Sequence, residues 1–453
     1  GVNLETDLIK IDANESKDSC VRRNLMSSIT DFVIENGTLK KYIGTDTRIV
    51  IPDSVICIEA PSYVGNFEDW YVFSECSICQ SIYIPETVKH IQGEIFRCYA
   101  LDDGLCYNIE IVGGKHGSEI EYYCNERDIP FVEIQDSEID EFCATSVEDL
   151  KERARRQNEN KTECFIDEGI WQAKFKDHTL EFFVPNNVDS NPIVISDMKR
   201  RINPHMRKRV KKLIIGHGVT GIADYAFDGF ENIESIYIGK DVCKISSTAF
   251  DNTDIYSDNF RRDKLSSITV DEQNMWYKSV DDVLYTHDRR TLVKYPSNRP
   301  ALYFEVNCNI GDFAFAYAKN LQCIKVSGDC VSIGEYAFLR AYSIRHAWFD
   351  KGVTNWPEKS PPFATYHRMG LCSFEPIIGG PLNSPAHKHC EKKNSWRERF
   401  LPIEEDDVED FLAHPLPPKK ESGFFTDEDG LLFFREGEET DPYVLKYEES
   451  RKT

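Results

Sequence analysis

The sequence predicts a solenoid: short parallel strands joined by turns and short helices, stacked in two blocks with caps and hairpin insertions. Three observations lead there. Four segments align without gaps, their spacing returns to 23 residues, and two separate stretches close an array in the same way.

The four segments are "IYIPETVKHIQGEIF" from Ile82, "LIIGHGVTGIADYAF" from Leu213, "IYIGKDVCKISSTAF" from Ile236 and "IKVSGDCVSIGEYAF" from Ile324. Each carries apolar residues at offsets 0, 2, 6, 9, 13 and 14, as in Leu213, Ile215, Val219, Ile222, Ala226 and Phe227. Self-similarity at a fixed period marks units that bury their apolar face only against neighbours. Offsets 0 and 2 are the inward face of a strand, because side chains alternate with period two. Glycine, aspartate or proline then breaks the strand, offsets 6 and 9 form a second inward pair, and Ala-Phe suits a helical or 3₁₀ turn underneath. Leu213 to Ile236 is 23 residues, and 23 residues beyond Ile324 lies Ala347. A fifth copy starts at Ile49 and a degenerate one ends at Phe315. Longer intervals imply insertions around 60–70 and 101–104.

These residues resemble the leucine-rich repeats of BspA-like bacterial proteins, whose units read roughly I-x-I-P-x-x-V-x-x-I-G-x-x-A-F-x-x-C-x-x-L. "DFVIENGTLKKYIG" is similar to that family's opening hairpin. "GIWQAKFKDHTLEFFV" with "RKRVKKLIIG" looks like a cap before the first repeat, and "ITVDEQNMWYKSVDDVLYTHDRRTLVKYP" like its hairpin insertion. The resemblance covers roughly 33–135 and 166–403, with many consensus Leu, Cys and Pro positions replaced, as in a divergent member. It implies a leucine-rich-repeat fold and a non-enzymatic interaction or adhesion protein, cell-surface or secreted, with a protein partner (a host protein among the candidates) or a glycan. A cytoplasmic scaffold that docks an acidic partner is the alternative.

The closing stretches are 113–134 and 379–403. Both read as a glycine turn, Ser118 or Ser384 at a helix N-cap, a polar helix with Cys124 or Cys390, and a strand around Phe131 or Phe400. The organisation is then an N-terminal segment at 1–30, block 1 at 31–135, and a charged linker or solvated helix at 136–165. A cap with a basic cluster follows at 166–210, and block 2 at 211–403 with a hairpin insertion at 266–300. An acidic, proline-containing linker and a hairpin end the chain at 404–453.

A net charge of −23 argues against a general nucleic-acid binder and against anionic membranes, which would repel it. No apolar run is long enough to span a bilayer. The chain opens Gly1-Val2 without a basic-then-apolar leader, so any signal peptide is expected to have been removed or never present. Fifteen cysteines are an odd and evenly spread number, and most of them read as small buried hydrophobes, which favours a reducing or anaerobic setting.

Within that acidic chain, 199–212 ("KRRINPHMRKRVKK") is strongly basic. Arg207, Lys208, Arg209, Lys211 and Lys212 are a candidate patch for an acidic partner, or else a solvated cap. Tyr83, Tyr237, Tyr303 and Trp348 fall on or beside repeat strands. Tyr83 and Tyr237 sit at offset 1, opposite the inward pair, so the aromatics are expected on an exposed strand face suited to binding.

"HKHC" (His387, His389, Cys390) has ligand types but no second pair nearby, and a closing helix already explains it. "DEDG" from Asp427 lacks the alternating ligands of a calcium loop. The lone C-x-x-C, Cys76 and Cys79, falls in repeat register: Cys79 lies three residues before Ile82, the slot held elsewhere by Ile233, Leu321 and Cys106. Packing accounts for both. No nucleophile, zincin, phosphate-loop or dinucleotide motif is present, so no catalytic residue, metal or cofactor is assigned.

Overall fold

In the computed structural model the chain divides into two units, residues 1–161 with 200–203 and residues 162–199 with 204–453. The structure describes residues 29–60, 71–73, 79–96, 98–101, 104–107, 109–159, 164–167, 170–185, 192–251, 264–357, 362–363, 376–391, 399–413, 423–426 and 432–435. Cys76, the 60–70 insertion apart from Ala60, and Asp427 to Gly430 lie outside them.

The repeat offsets become the core. Strands Lys212–Ile215, Ser235–Ile238 and Ser267–Val270 pair in parallel without slippage, placing Leu213 against Ile236 and Ile236 against Ile268. All three residues are buried, as are Ile215, Val219, Ile222 and Ala226. The same holds for Ile82, Ile84, Val88, Ile95 and Phe96 in unit 1. Phenylalanines stack in columns beneath the strands: Phe227 and Phe250, both at offset 14, lie 6.2 Å apart, and Phe338 stacks between Phe315 at 5.1 Å and Phe363 at 4.5 Å.

Two features differ from expectation. Offset 9 forms strands of its own. Val194–Ile195, Gly221–Ile222 and Lys244–Ile245 make a second parallel sheet, so strands line two sides of the unit. The Ala-Phe segment is a hydrogen-bonded turn rather than a helix. Tyr225, Phe313 and Tyr336 precede it with left-handed φ of 50°, 54° and 51°, a conformation that prevents helical propagation.

Within the 101–104 and 266–300 insertions the hairpin strands pair antiparallel, whereas Ser267–Val270 belongs to the repeat sheet. Cys98–Leu101 pairs with Gly104–Tyr107, and Tyr277–Val280, Val283–Thr286 and Thr291–Lys294 form a meander. Buried Asn274 anchors the meander by donating to the Gly239 and Val242 carbonyls and accepting from Trp276 and Tyr277 amides. Lys294 is also buried and pairs with Asp251 at 2.5 Å. Sequence reading overlooked this pair. At the chain end, Gly423–Thr426 pairs with Leu432–Arg435 as a hairpin.

The segments read as linkers are partly structural. Beyond Phe131–Glu133, a 3₁₀ turn (Asp136–Glu138) and helices Ile139–Ala144 and Val147–Glu159 fold back onto block 1. They bury Phe142, Cys143, Val147, Leu150 and Ala154 with Tyr83, Ile111, Val132 and Ile134. Beyond Arg399–Pro402, a 3₁₀ turn (Glu405–Asp407) and helix Val408–Ala413 do the same, burying Val408, Phe411 and Leu412 with Cys323, Trp348 and Ile377. Residues 131–144 and 400–413 align without a gap. They share Phe131/Phe400, Ile134/Ile403, Phe142/Phe411 and Ala144/Ala413, and are acidic in both at Asp136/Glu405, Glu138/Asp407, Asp140/Glu409 and Glu141/Asp410. Each unit thus ends in one version of the same clasp.

Candidate functional site: the outward strand face

The clasps decide which outward residues meet solvent. Three triplets run across adjacent strands in equivalent register: Val50–Tyr83–Gly113, Lys325–Trp348–Gly379 and Ile214–Tyr237–Thr269.

The first two triplets are covered. Tyr83 and Trp348 are only 1% and 2% exposed, which corrects the expectation of an aromatic ridge running through them. The physical reason is the glycine beside each. A Cβ on Gly113 would lie 2.8 Å from the Phe142 ring, and one on Gly379 2.8 Å from the Phe411 ring. Only a residue without a side chain leaves room for the clasp phenylalanine. Polar atoms are satisfied within the cover. The Tyr83 hydroxyl donates to Asp136 at 3.0 Å, and the Trp348 indole N–H to the Ile403 carbonyl at 3.1 Å. His346, buried beside Trp348, stacks on Phe411 and donates from Nδ1 to its carbonyl at 2.7 Å. Basic residues flank both clasps: Lys115 meets Asp136 at 2.8 Å and Lys325 meets Glu409 at 3.1 Å. Burial first, then the bond to Asp136, raises the Tyr83 phenol well above its ordinary range.

The third triplet is open among the described residues. Ile214 and Tyr237 are half-buried, while Thr269 and Lys212 are exposed. The Tyr237 hydroxyl donates to Asp271 at 2.6 Å; that bond, followed by burial, pushes its pKa up to about 12. Tyr303, at the start of strand Tyr303–Val306, is 42% exposed beside Leu302 at 58%.

The basic cluster splits. Arg207 is 1% exposed and donates to the Lys199 carbonyl. A Cβ on Gly229, at φ +79°, would stand 3.2 Å from the Arg207 Nε. Arg207 is therefore packed against a repeat turn and is not part of a surface patch. Arg209 lies over the Phe175 ring at 5.2 Å, and Lys211 pairs with Glu234 at 3.2 Å. Lys208 and Lys212 are exposed, and Lys212 stands on the open strand face, level with Thr179, Ser235 and Ser267.

The histidines and the cysteine of the sequence motifs that are described are engaged in packing. His387 stacks on Phe400 and His389 on Trp356, each at 4.5 Å. Cys79 is fully buried in the block-1 core. Ser384 caps its helix by accepting from the His387 amide. The Ser118 hydroxyl instead donates to the Lys115 carbonyl. Among the described residues no group of three or more His, Cys, Asp or Glu is placed to hold a metal, and no helix is long and apolar enough to cross a membrane.

Stacked 23-residue units with parallel strands and a phenylalanine column define a leucine-rich-repeat solenoid. Residues 47–114, 205–279 and 303–361 match the BspA type leucine rich repeat region in six copies. These three regions are BspA-type leucine-rich repeats, units that stack on their neighbours into extended surfaces.

Among solved structures, the chain is similar to a leucine rich cell surface protein from Faecalibacterium prausnitzii. The identity is 17% and the TM-score 0.37, covering 74% of this chain and 91% of the other. A leucine-rich repeat protein from Eubacterium ventriosum matches at 14% and 0.24, covering 53% and 85%. The pneumococcal vaccine antigen PcpA matches at 11% and 0.26, covering 82% and 96%. No curated protein matches the sequence.

Proposed function

We propose that this chain is a non-enzymatic interaction or adhesion protein that binds a protein partner through the open half of the unit-2 strand face. The observation behind this reading is the contrast between equivalent triplets. Two are roofed by the chain itself, while Ile214, Tyr237 and Thr269 remain accessible, with Tyr303 and Leu302 exposed farther along the unit. Exposed aromatic and aliphatic side chains on rigid strands supply contact area at small entropic cost. Cell-surface or secreted placement is part of the proposal, being the setting the family resemblance implies; a glycan is the second ligand class.

Lys212 joins this reading to that of an acidic partner, because it belongs both to the basic cluster and to the open face. A photo-crosslinking residue at Tyr237 or Tyr303 should capture a discrete protein from candidate host or bacterial extracts. The same residue at Glu335, exposed beside the Ala-Phe turn, should not. Capture from Glu335 alone would reverse the assignment of the face.

A further inference from the structure

We propose that Asn36 is a self-modifying residue: its side chain cyclises onto the Gly37 nitrogen and reopens as isoaspartate, which loosens the entrance of block 1 as the chain ages. The reaction is a hydrolytic deamidation, and water is its only co-reactant.

Asn36 and Gly37 are the two loop residues of the opening hairpin, between strands Phe32–Glu35 and Thr38–Tyr42, with Glu35 paired to Thr38. No other Asn-Gly occurs in the chain. Both residues are left-handed, at φ 50° and 76°. A two-residue turn with positive φ at both positions is the one that Asn-Gly favours, since asparagine and glycine tolerate that conformation best. Asn36 is exposed. Neither its carboxamide nor the Gly37 amide makes a hydrogen bond among the described residues.

The chemistry follows from those two free groups. The Gly37 nitrogen gives up its proton to hydroxide and attacks the Asn36 Cγ. The new N–C bond closes a five-membered succinimide, and the side-chain nitrogen leaves as ammonia. The approach needs rotations about the Asn36 bonds, and the following residue has no side chain to shield its nitrogen. Water then reopens the ring. Cleavage at the α-carbonyl leaves the backbone running through the β-carbon, as isoaspartate. Cleavage at the other carbonyl gives aspartate. Nothing is oxidised or reduced.

Isoaspartate adds one carbon to the backbone of a two-residue loop, and this loop is anchored on its far side. The Gly37 carbonyl accepts from the Ile56 and Cys57 amides at 2.8 and 3.2 Å. A Cβ on Gly37 would stand 2.9 Å from the Ile56 Cγ1, so the turn sits directly on that residue. From there Thr38 pairs with Cys57 and Leu39 with Ile58 in parallel, over a core that includes Phe32, Leu39 and Tyr42. A longer loop moves the Gly37 carbonyl off both amides and disturbs the Glu35–Thr38 pairing. Aspartate at the same place adds a charge but keeps the backbone length.

The test ages the folded full chain at body temperature in mildly alkaline buffer, with a urea-denatured sample alongside. Mass spectrometry of the tryptic peptide 24–40 should show amide converted to acid at Asn36, with isoaspartate exceeding aspartate. The conversion should run faster at higher pH, because the attacking nitrogen must lose its proton, and Asn36→Ser should abolish it. Amide exchange at Ile56 and Cys57 should then rise at least about tenfold in the aged chain, the scale of losing one or two backbone hydrogen bonds. Fresh Asn36→Asp, which carries the charge without the extra carbon, should exchange like the unaged protein. Three results would overturn the proposal: conversion in the denatured sample but none in the folded chain, conversion to aspartate alone, or an aged chain whose Ile56 and Cys57 amides exchange as slowly as before.

Discussion

The two clasps are one device built to different extents. In unit 1 the helix carrying Phe142 is backed by a second, Val147–Glu159, whose Leu150 and Ala154 are buried in the same cluster. Arg153 of that helix pairs with Glu138 at 2.7 Å, and the Gln157 side chain bonds both the amide and the carbonyl of Glu133. In unit 2 the described cover ends with the six-residue helix Val408–Ala413, packed through Val408, Phe411 and Leu412 and joined by the Trp348 and His346 hydrogen bonds and the Lys325–Glu409 ion pair, with no second helix behind it among the described residues. Equivalent sequences therefore carry unequal shares of the work, and the second cover depends more on its phenylalanine.

That contrast is tested most severely by removing each phenylalanine. Burying a ring of this size is worth about 3–5 kcal/mol, so Phe411→Ala should release its clasp outright. Trp348 should become quenchable by acrylamide, and the thermal midpoint should drop. Phe142→Ala should lower the midpoint too, yet leave Tyr83 protected, because Leu150 and Ala154 still hold the cover. Equal exposure of both aromatics would erase the distinction.

A smaller effect concerns acid. The Asp136 carboxyl is held below its ordinary range by the Lys115 hydrogen bond and then the Tyr83 hydroxyl. Glu138 is lowered by the Gln135 amide and then Arg153. A depressed carboxylate stabilises the fold above its unfolded value, near 4, and that stability is lost as pH falls through the folded value. Clasp 1 should therefore loosen on acidification below about pH 4, read as faster amide exchange in 139–144. Asp136→Asn with Glu138→Gln should flatten this response, and an unchanged acid limb would assign it elsewhere.

The repeat register was legible because inward positions obey a local rule: period two within a strand and 23 between units. The fate of the outward positions was not. Tyr83 bonds a clasp residue 53 positions later and Trp348 one 55 later, and the covering rings Phe142 and Phe411 lie farther still along the chain. Nothing in either repeat announces this apart from the glycine in the following strand. The clasps themselves read as linkers because acids are at least as frequent as apolar residues in 136–144 and 404–413. The available signal was the ungapped match of 131–144 to 400–413. Arg207 was misplaced for a related reason. A basic run suggests solvent, whereas the left-handed Gly229 turn leaves space for one guanidinium inside.

Clasps close two triplets and, among the described residues, leave the third open. Hydroxyl-radical footprinting of the intact chain, read residue by residue, tests it most directly. Tyr303 should label rapidly and Tyr237 at an intermediate rate, with Tyr83 and Trp348 protected. Labelling of Tyr83 and Trp348 as fast as Tyr303 in the folded chain would contradict it.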